Sequence, residues 1–128
     1  MGQPQGARLG IRLESEENMK KINESTQFVE KVVGVSFEGR QAIVVQLSIG
    51  EQVVLVRDPL NPFDSHAIKV ETQTGEQFGF LNKVLSASLS EQMDLLGTPV
   101  TAIVLELMGG YFEGSNIGVL VGFSMPEY

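Results

Sequence analysis

The sequence contains no cysteine and a single histidine, His66. The first absence excludes a disulfide framework, thiolate metal sites and cysteine nucleophiles. The second excludes a histidine-rich catalytic zinc site built within one chain. Cationic side chains are also scarce: nine Lys and Arg stand against sixteen Asp and Glu, a formal net charge of −7. A protein that coats nucleic acid needs many phosphate-neutralising cations, so this balance argues against broad, nonspecific nucleic-acid binding. No apolar run reaches the roughly 18 residues of a membrane span, and no signal-peptide pattern opens the chain. The expectation is a cytoplasmic protein with no membrane partner. What is present suffices for one folded domain. With 128 residues, 42% hydrophobic and only 20% charged, the chain can bury a core and is not compositionally disordered.

The first thirty residues differ from the rest. Residues 1–12 are rich in glycine, and residues 14–30 are polar, with Met19, Ile22 and Phe28 too sparse for an apolar stripe. Residues 1–30 therefore read as a flexible tail or linker, and residues 31–128 as the domain. Within it the pattern is β-rich. Strands are expected at residues 32–37, 52–57, 67–71, 77–81, 100–107 and 117–123. Residues 41–48 fit either a helical face or a strand. One helix is clear over residues 83–96: Asn82 is a suitable N-cap, Leu85, Leu89, Met93 and Leu96 share a face, and Gly97 and Pro99 end it. The fold class is mainly β: a small, modified OB-like or SH3-like barrel of about six strands with one main α-helix.

The densest signal is the run RDPLNPFDSHAIKV, Arg57 to Val70. Pro59 and Pro62 fix the backbone at two points and hold Asp58 and Asn61 extended, so the turn is stiff before any ligand arrives. It presents an amide, an aromatic face and a carboxylate within four residues, at Asn61, Phe63 and Asp64. The structural alternative is a turn closed by Asx hydrogen bonds, with Phe63 packed into the barrel mouth.

That run resembles the signature of the HIRAN domain family. Val32-Val33-Gly34-Val35 is similar to the family's opening strand, and Gly79-Phe80-Leu81 to the element leading into its helix. The resemblance spans about residues 32–123. It implies an OB-like barrel that binds the 3′-hydroxyl end of single-stranded DNA, as in the best understood members. Carried over residue by residue, it implies that Asp64 meets the terminal hydroxyl, that Asn61 shapes the turn, that Phe63 and Phe37 stack on bases, and that Lys83 contacts phosphate. Those members carry an arginine after the first strand. Here the stretch is Ser36-Phe37-Glu38, and Arg40 is the candidate to compensate.

No catalytic constellation accompanies the motif. There is no GxxxxGK[ST], no helix with paired metal ligands, and no spacing that suggests a Ser/His/Asp set. No enzyme activity, metal or cofactor is expected. The leading function is a non-catalytic module for weak binding of single-stranded DNA 3′ ends in repair or fork processing, alongside a DNA-processing protein. The alternative is a diverged protein-interaction or regulatory domain. It draws on Glu38 and on residues 84–128, which hold five acidic residues and no Lys or Arg. A nuclease with a cation between Asp58 and Asp64 is the third reading. Net charge is laid out unevenly: all five basic residues of the 31–128 region lie at or before Lys83. A small end-binding pocket needs two or three of them, not a basic surface.

Overall fold

The computed structural model describes residues 27–37, 39–112 and 114–126. Phe28–Phe123 forms one compact unit, while Gln27 and residues 124–126 fall to a second unit that otherwise lies outside the described residues. Residues 1–26 of the expected tail, and Glu38, lie outside the described residues as well.

In chain order the elements are β1 (Gln27–Lys31), α1 (Arg40–Val44), β2 (Gln52–Arg57), β3 (Ile68–Thr72), β4 (Gln77–Phe80), α2 (Lys83–Leu96), β5 (Val100–Gly109) and β6 (Ile117–Ser124). The strands form one sheet in the order β1-β6-β5-β2-β3-β4. The pairs β2–β3, β2–β5, β3–β4 and β5–β6 are antiparallel. Alternate residues turn inward, as the two-residue period of a strand requires. Val53 and Leu55, Ile68 and Val70, Val100, Ala102 and Val104, and Val119, Val121 and Phe123 are all buried. From α2, Leu89 and Met93 join this core. The helix is bounded as its sequence demands. Asn82 Oδ1 accepts the Leu85 N–H at 2.8 Å. Gly97 takes the left-handed conformation, φ 72°, and donates its N–H to Met93 at 3.0 Å.

One step of the chain brings the two sheet edges together. The Val32 N–H donates to Val119 in β6 at 2.9 Å. The next residue, Val33, exchanges two backbone hydrogen bonds with Phe80 in β4, at 2.8 and 2.9 Å. The sheet thus curls into a half-barrel. Gly79 permits that approach, because a Cβ there would run into the Val32 side chain and lie 2.6 Å from the Val33 carbonyl oxygen. Register shifts at Val70/Glu71 and Val104/Glu106 mark bulges, which bend strands and help the curl.

The mainly β, barrel-like fold expected from the sequence is the fold observed. One local expectation needs correction and one open reading is resolved. Residues 32–37 are not a strand: Val33 makes an isolated bridge, and Gly34, at φ 77°, turns the chain away. Residues 41–48, ambiguous by pattern, begin within the short helix α1, whose Val44 is fully buried.

Candidate functional site

The proline-braced turn between β2 and β3 is closed by its own polar side chains. Asn61 Oδ1 accepts from the backbone N–H groups of Phe63 (2.9 Å) and Asp64 (3.2 Å). Asn61 Nδ2 donates to Asp58 Oδ2 at 3.0 Å. Asp64 Oδ1 accepts the His66 N–H at 2.9 Å. Both Asx residues therefore shape the turn, as the structural alternative required. The other half of that alternative is wrong: Phe63 is 90% exposed and does not pack into the barrel mouth. Asn61 thereby fixes the backbone from which the Phe63 ring and the Asp64 carboxylate project.

Arg57, at the end of β2, anchors the turn from below. Its Nη1 donates to the Ala67 carbonyl at 2.7 Å and its Nη2 to Ser65 at 3.0 Å. Its Nε and Nη2 also pair with Asp94 of α2, at 2.9 and 3.3 Å. Arg57 is thus a structural clamp between helix and turn. Lys69 is likewise engaged, with Glu71 at 3.1 Å.

Facing the turn is the segment that follows the edge crossing. Gly34 reverses the chain and leaves Phe37 64% exposed. The Arg40 guanidinium lies 5.5 Å from the ring centroid of Phe37 and 5.4 Å from that of Phe80, within cation–π range of both. Its Nη1 donates to the Gly34 carbonyl at 2.8 Å. Next to it, Gln41 ties α1 to β6: its amide bonds Val35 and Ile117 carbonyls at 3.0 Å each and accepts the Ile117 N–H at 2.8 Å.

Between these two walls lies a pocket of about 630 Å³. Phe37, Arg40, Asn61, Phe63, Asp64 and Lys83, the six residues nominated from sequence, all line it. So do Val33, Gly34, Phe80 and Leu81, which sequence reasoning did not nominate. Phe80 had a signal, since it falls in the Gly79-Phe80-Leu81 match, but it read as a hairpin strand residue. Apolar surface dominates the pocket, with a few polar groups at its edges, the usual make-up of a ligand site. Arg40 and Lys83 have no ion-pair partner among the described residues, and Asp64 is the pocket's carboxylate. The pocket is therefore locally cationic on an acidic protein. His66 Nδ1 stands 3.7 Å from Asp64 Oδ1 at the outer side of the turn. Among the described residues no three His, Cys, Asp or Glu side chains gather as metal ligands, and no helix is long and apolar enough to cross a membrane.

Comparison with known proteins bears on the fold and the family. The HIRAN domain model matches residues 25–108. Over 44 residues, 34% of this chain and 4% of the relative, the chain is 50% identical to the helicase-like transcription factor of Homo sapiens. Over 78 residues, 61% of this chain and 7% of the relative, it is 35% identical to that of Mus musculus. The chain thus matches less than a tenth of the length of these curated relatives. The crystal structure of the HIRAN domain of human HLTF superposes with a TM-score of 0.57 at 29% identity, covering 80% of this chain and 78% of that one. A protein from Lactobacillus plantarum shares the fold, with a TM-score of 0.57 at 21% identity, over 78% of this chain and 99% of that one. The chain belongs to the HIRAN domain family.

Proposed function

We propose that the pocket between the proline-braced turn and the Gly34–Arg40 segment receives the 3′-hydroxyl end of single-stranded DNA. One observation carries this reading: the six residues at which the chain follows or replaces the family's DNA-end motif line a single pocket. Phe63 and Phe37 offer exposed ring faces, and base–aromatic stacking contributes about 1–3 kcal/mol per base. Asp64 accepts a hydrogen bond from the terminal hydroxyl, and the same charge repels a terminal phosphate. Lys83, in the first turn of α2, meets a backbone phosphate beside the helix's free N–H groups. Nothing in this arrangement calls for bond breaking. The protein acts as a binding module that holds an end for a DNA-processing partner.

Titration of a fluorescent oligonucleotide tests it. A free 3′ end should bind more tightly than a 3′-phosphorylated end or a circular strand of the same composition. One phosphate-facing cation, Lys83, gives a shallow log K against log salt slope of about −0.7. Equal binding of free and blocked ends, or no binding at low salt, would overturn the proposal. A protein-interaction role has its own support in Tyr111 and Phe112, which are exposed at the β5–β6 loop, and in the absence of Lys or Arg after Lys83. A specific protein partner that survives nuclease treatment, without oligonucleotide binding, would favour it.

A further inference from the structure

Arg40 is a pocket cation whose guanidinium is already engaged. One N–H is committed to the Gly34 carbonyl at 2.8 Å, and the plane lies near Phe37 and Phe80, at 5.5 and 5.4 Å from their centroids. Gly34 makes room for it: a Cβ there would come within 3.0 Å of Nη1. The three anchors come from two segments: Gly34 and Phe37 from one turn, and Phe80 from the edge strand β4. Phe37 itself is 64% exposed, so core packing does little to hold its ring. Its backbone carbonyl accepts the Arg40 N–H at 2.8 Å, which keeps the cation and the ring on one short turn.

We infer that Arg40 is a positioning residue: its guanidinium, anchored on Gly34 and Phe80, holds the Phe37 ring so that it stands ready as a stacking face, and Lys83 supplies the phosphate contact. The inference rests on the reading of the pocket as a DNA-end site. Its physical basis is the planar guanidinium, which stacks and bonds at a fixed angle where an ammonium cannot. A ring held in advance loses less freedom when a base arrives.

The discriminating variants are Arg40→Lys, which keeps the charge and loses the plane, and Arg40→Gln, with Lys83→Gln as reference. All three are titrated with a 3′-hydroxyl oligonucleotide over a range of salt. Both Arg40 variants should bind about 3- to 10-fold more weakly, the scale of a partly desolvated cation–π contact, with the salt slope of the native chain. Lys83→Gln should lower the slope by about 0.7. In a Phe37→Ala background, Arg40→Lys should add less than about a twofold loss, since coupled residues are not additive. Native-like binding by Arg40→Lys, with the slope lowered in Arg40→Gln, would overturn the inference and make Arg40 a phosphate contact. A second measurement does not need DNA. In the free protein, ring currents should shift the Arg40 side-chain N–H resonances upfield, and Phe37→Ala should remove about half of that shift, since Phe80 lies equally near. An unshifted Arg40 refutes the stacking itself. Failure of the native chain to bind any oligonucleotide, with the shift present, refutes only the DNA-end reading.

Discussion

Replacing Phe63 by alanine should separate binding from folding. The ring is 90% exposed, so removing it takes little apolar surface from the core. The backbone bond that shapes the turn, Phe63 N–H to Asn61 Oδ1 at 2.9 Å, survives in the variant. Exposed positions of this kind change stability by no more than about 0.5 kcal/mol. In a domain of roughly 100 residues that corresponds to a Tm shift of at most about 2–4 °C. Binding should respond very differently. If the ring carries one stacked base, its loss costs about 1–3 kcal/mol, or about 5- to 150-fold in Kd. The assay pairs thermal unfolding with fluorescence anisotropy of a labelled 3′-hydroxyl oligonucleotide. An affinity within twofold of native, with the Tm unchanged, would refute a stacking role for Phe63. A Tm fall of 10 °C or more, an order-of-magnitude bound on what an exposed ring can contribute, would show instead that the ring is packed.

Four further perturbations follow from the fold and the turn. Gly79→Ala places a methyl group against Val32 and the Val33 carbonyl, so the edge crossing must open; a loss of about 1–3 kcal/mol is expected, seen as a lower Tm and faster amide exchange at Val33 and Phe80. Asn61→Ala removes the acceptor of two backbone N–H groups in the turn; oligonucleotide affinity should fall while slow-exchanging amides of β2 and β5 keep their protection. Asp94→Asn weakens a pair whose carboxylate is 55% exposed, so it should cost no more than about 1 kcal/mol. By contrast, Arg57→Ala leaves the Ala67 and Ser65 carbonyls without their charged donor and should cost about 2–4 kcal/mol; denaturant melts distinguish the two.

How far these features could be read in advance depends on whether they are local. The helix over residues 83–96 could be placed because Asn82 and Gly97 are local caps that act through their own backbone neighbours. Strands β2 and β6 announce themselves by runs of β-branched residues between turn formers. The crossing at Val32–Val33 could not be seen. Its partners, Val119 and Phe80, lie 87 and 47 residues away, and the local run of valines looks like any strand. β1 escaped notice because Gln27, Glu30 and Lys31 are polar, and its pairing, not its composition, makes it a strand. At the site, the turn was legible because prolines and Asx residues act on their own backbone. Its opposite wall was only partly so. Phe37 and Arg40 stand out by position, but the approach of Arg40 to Phe80 depends on the crossing that brings β4 beside them.

Amide chemical-shift mapping tests the central claim most directly. On adding a short 3′-hydroxyl oligonucleotide to the labelled protein, the resonances of Gly34, Phe37, Arg40, Phe63, Asp64, Leu81 and Lys83 should move together and saturate with one Kd. Those of Gly97 and Thr98, beside the Arg57–Asp94 clamp, should stay in place. Shifts centred on Tyr111 and Phe112, with the pocket residues unmoved, would contradict the assignment of the pocket as the DNA-end site.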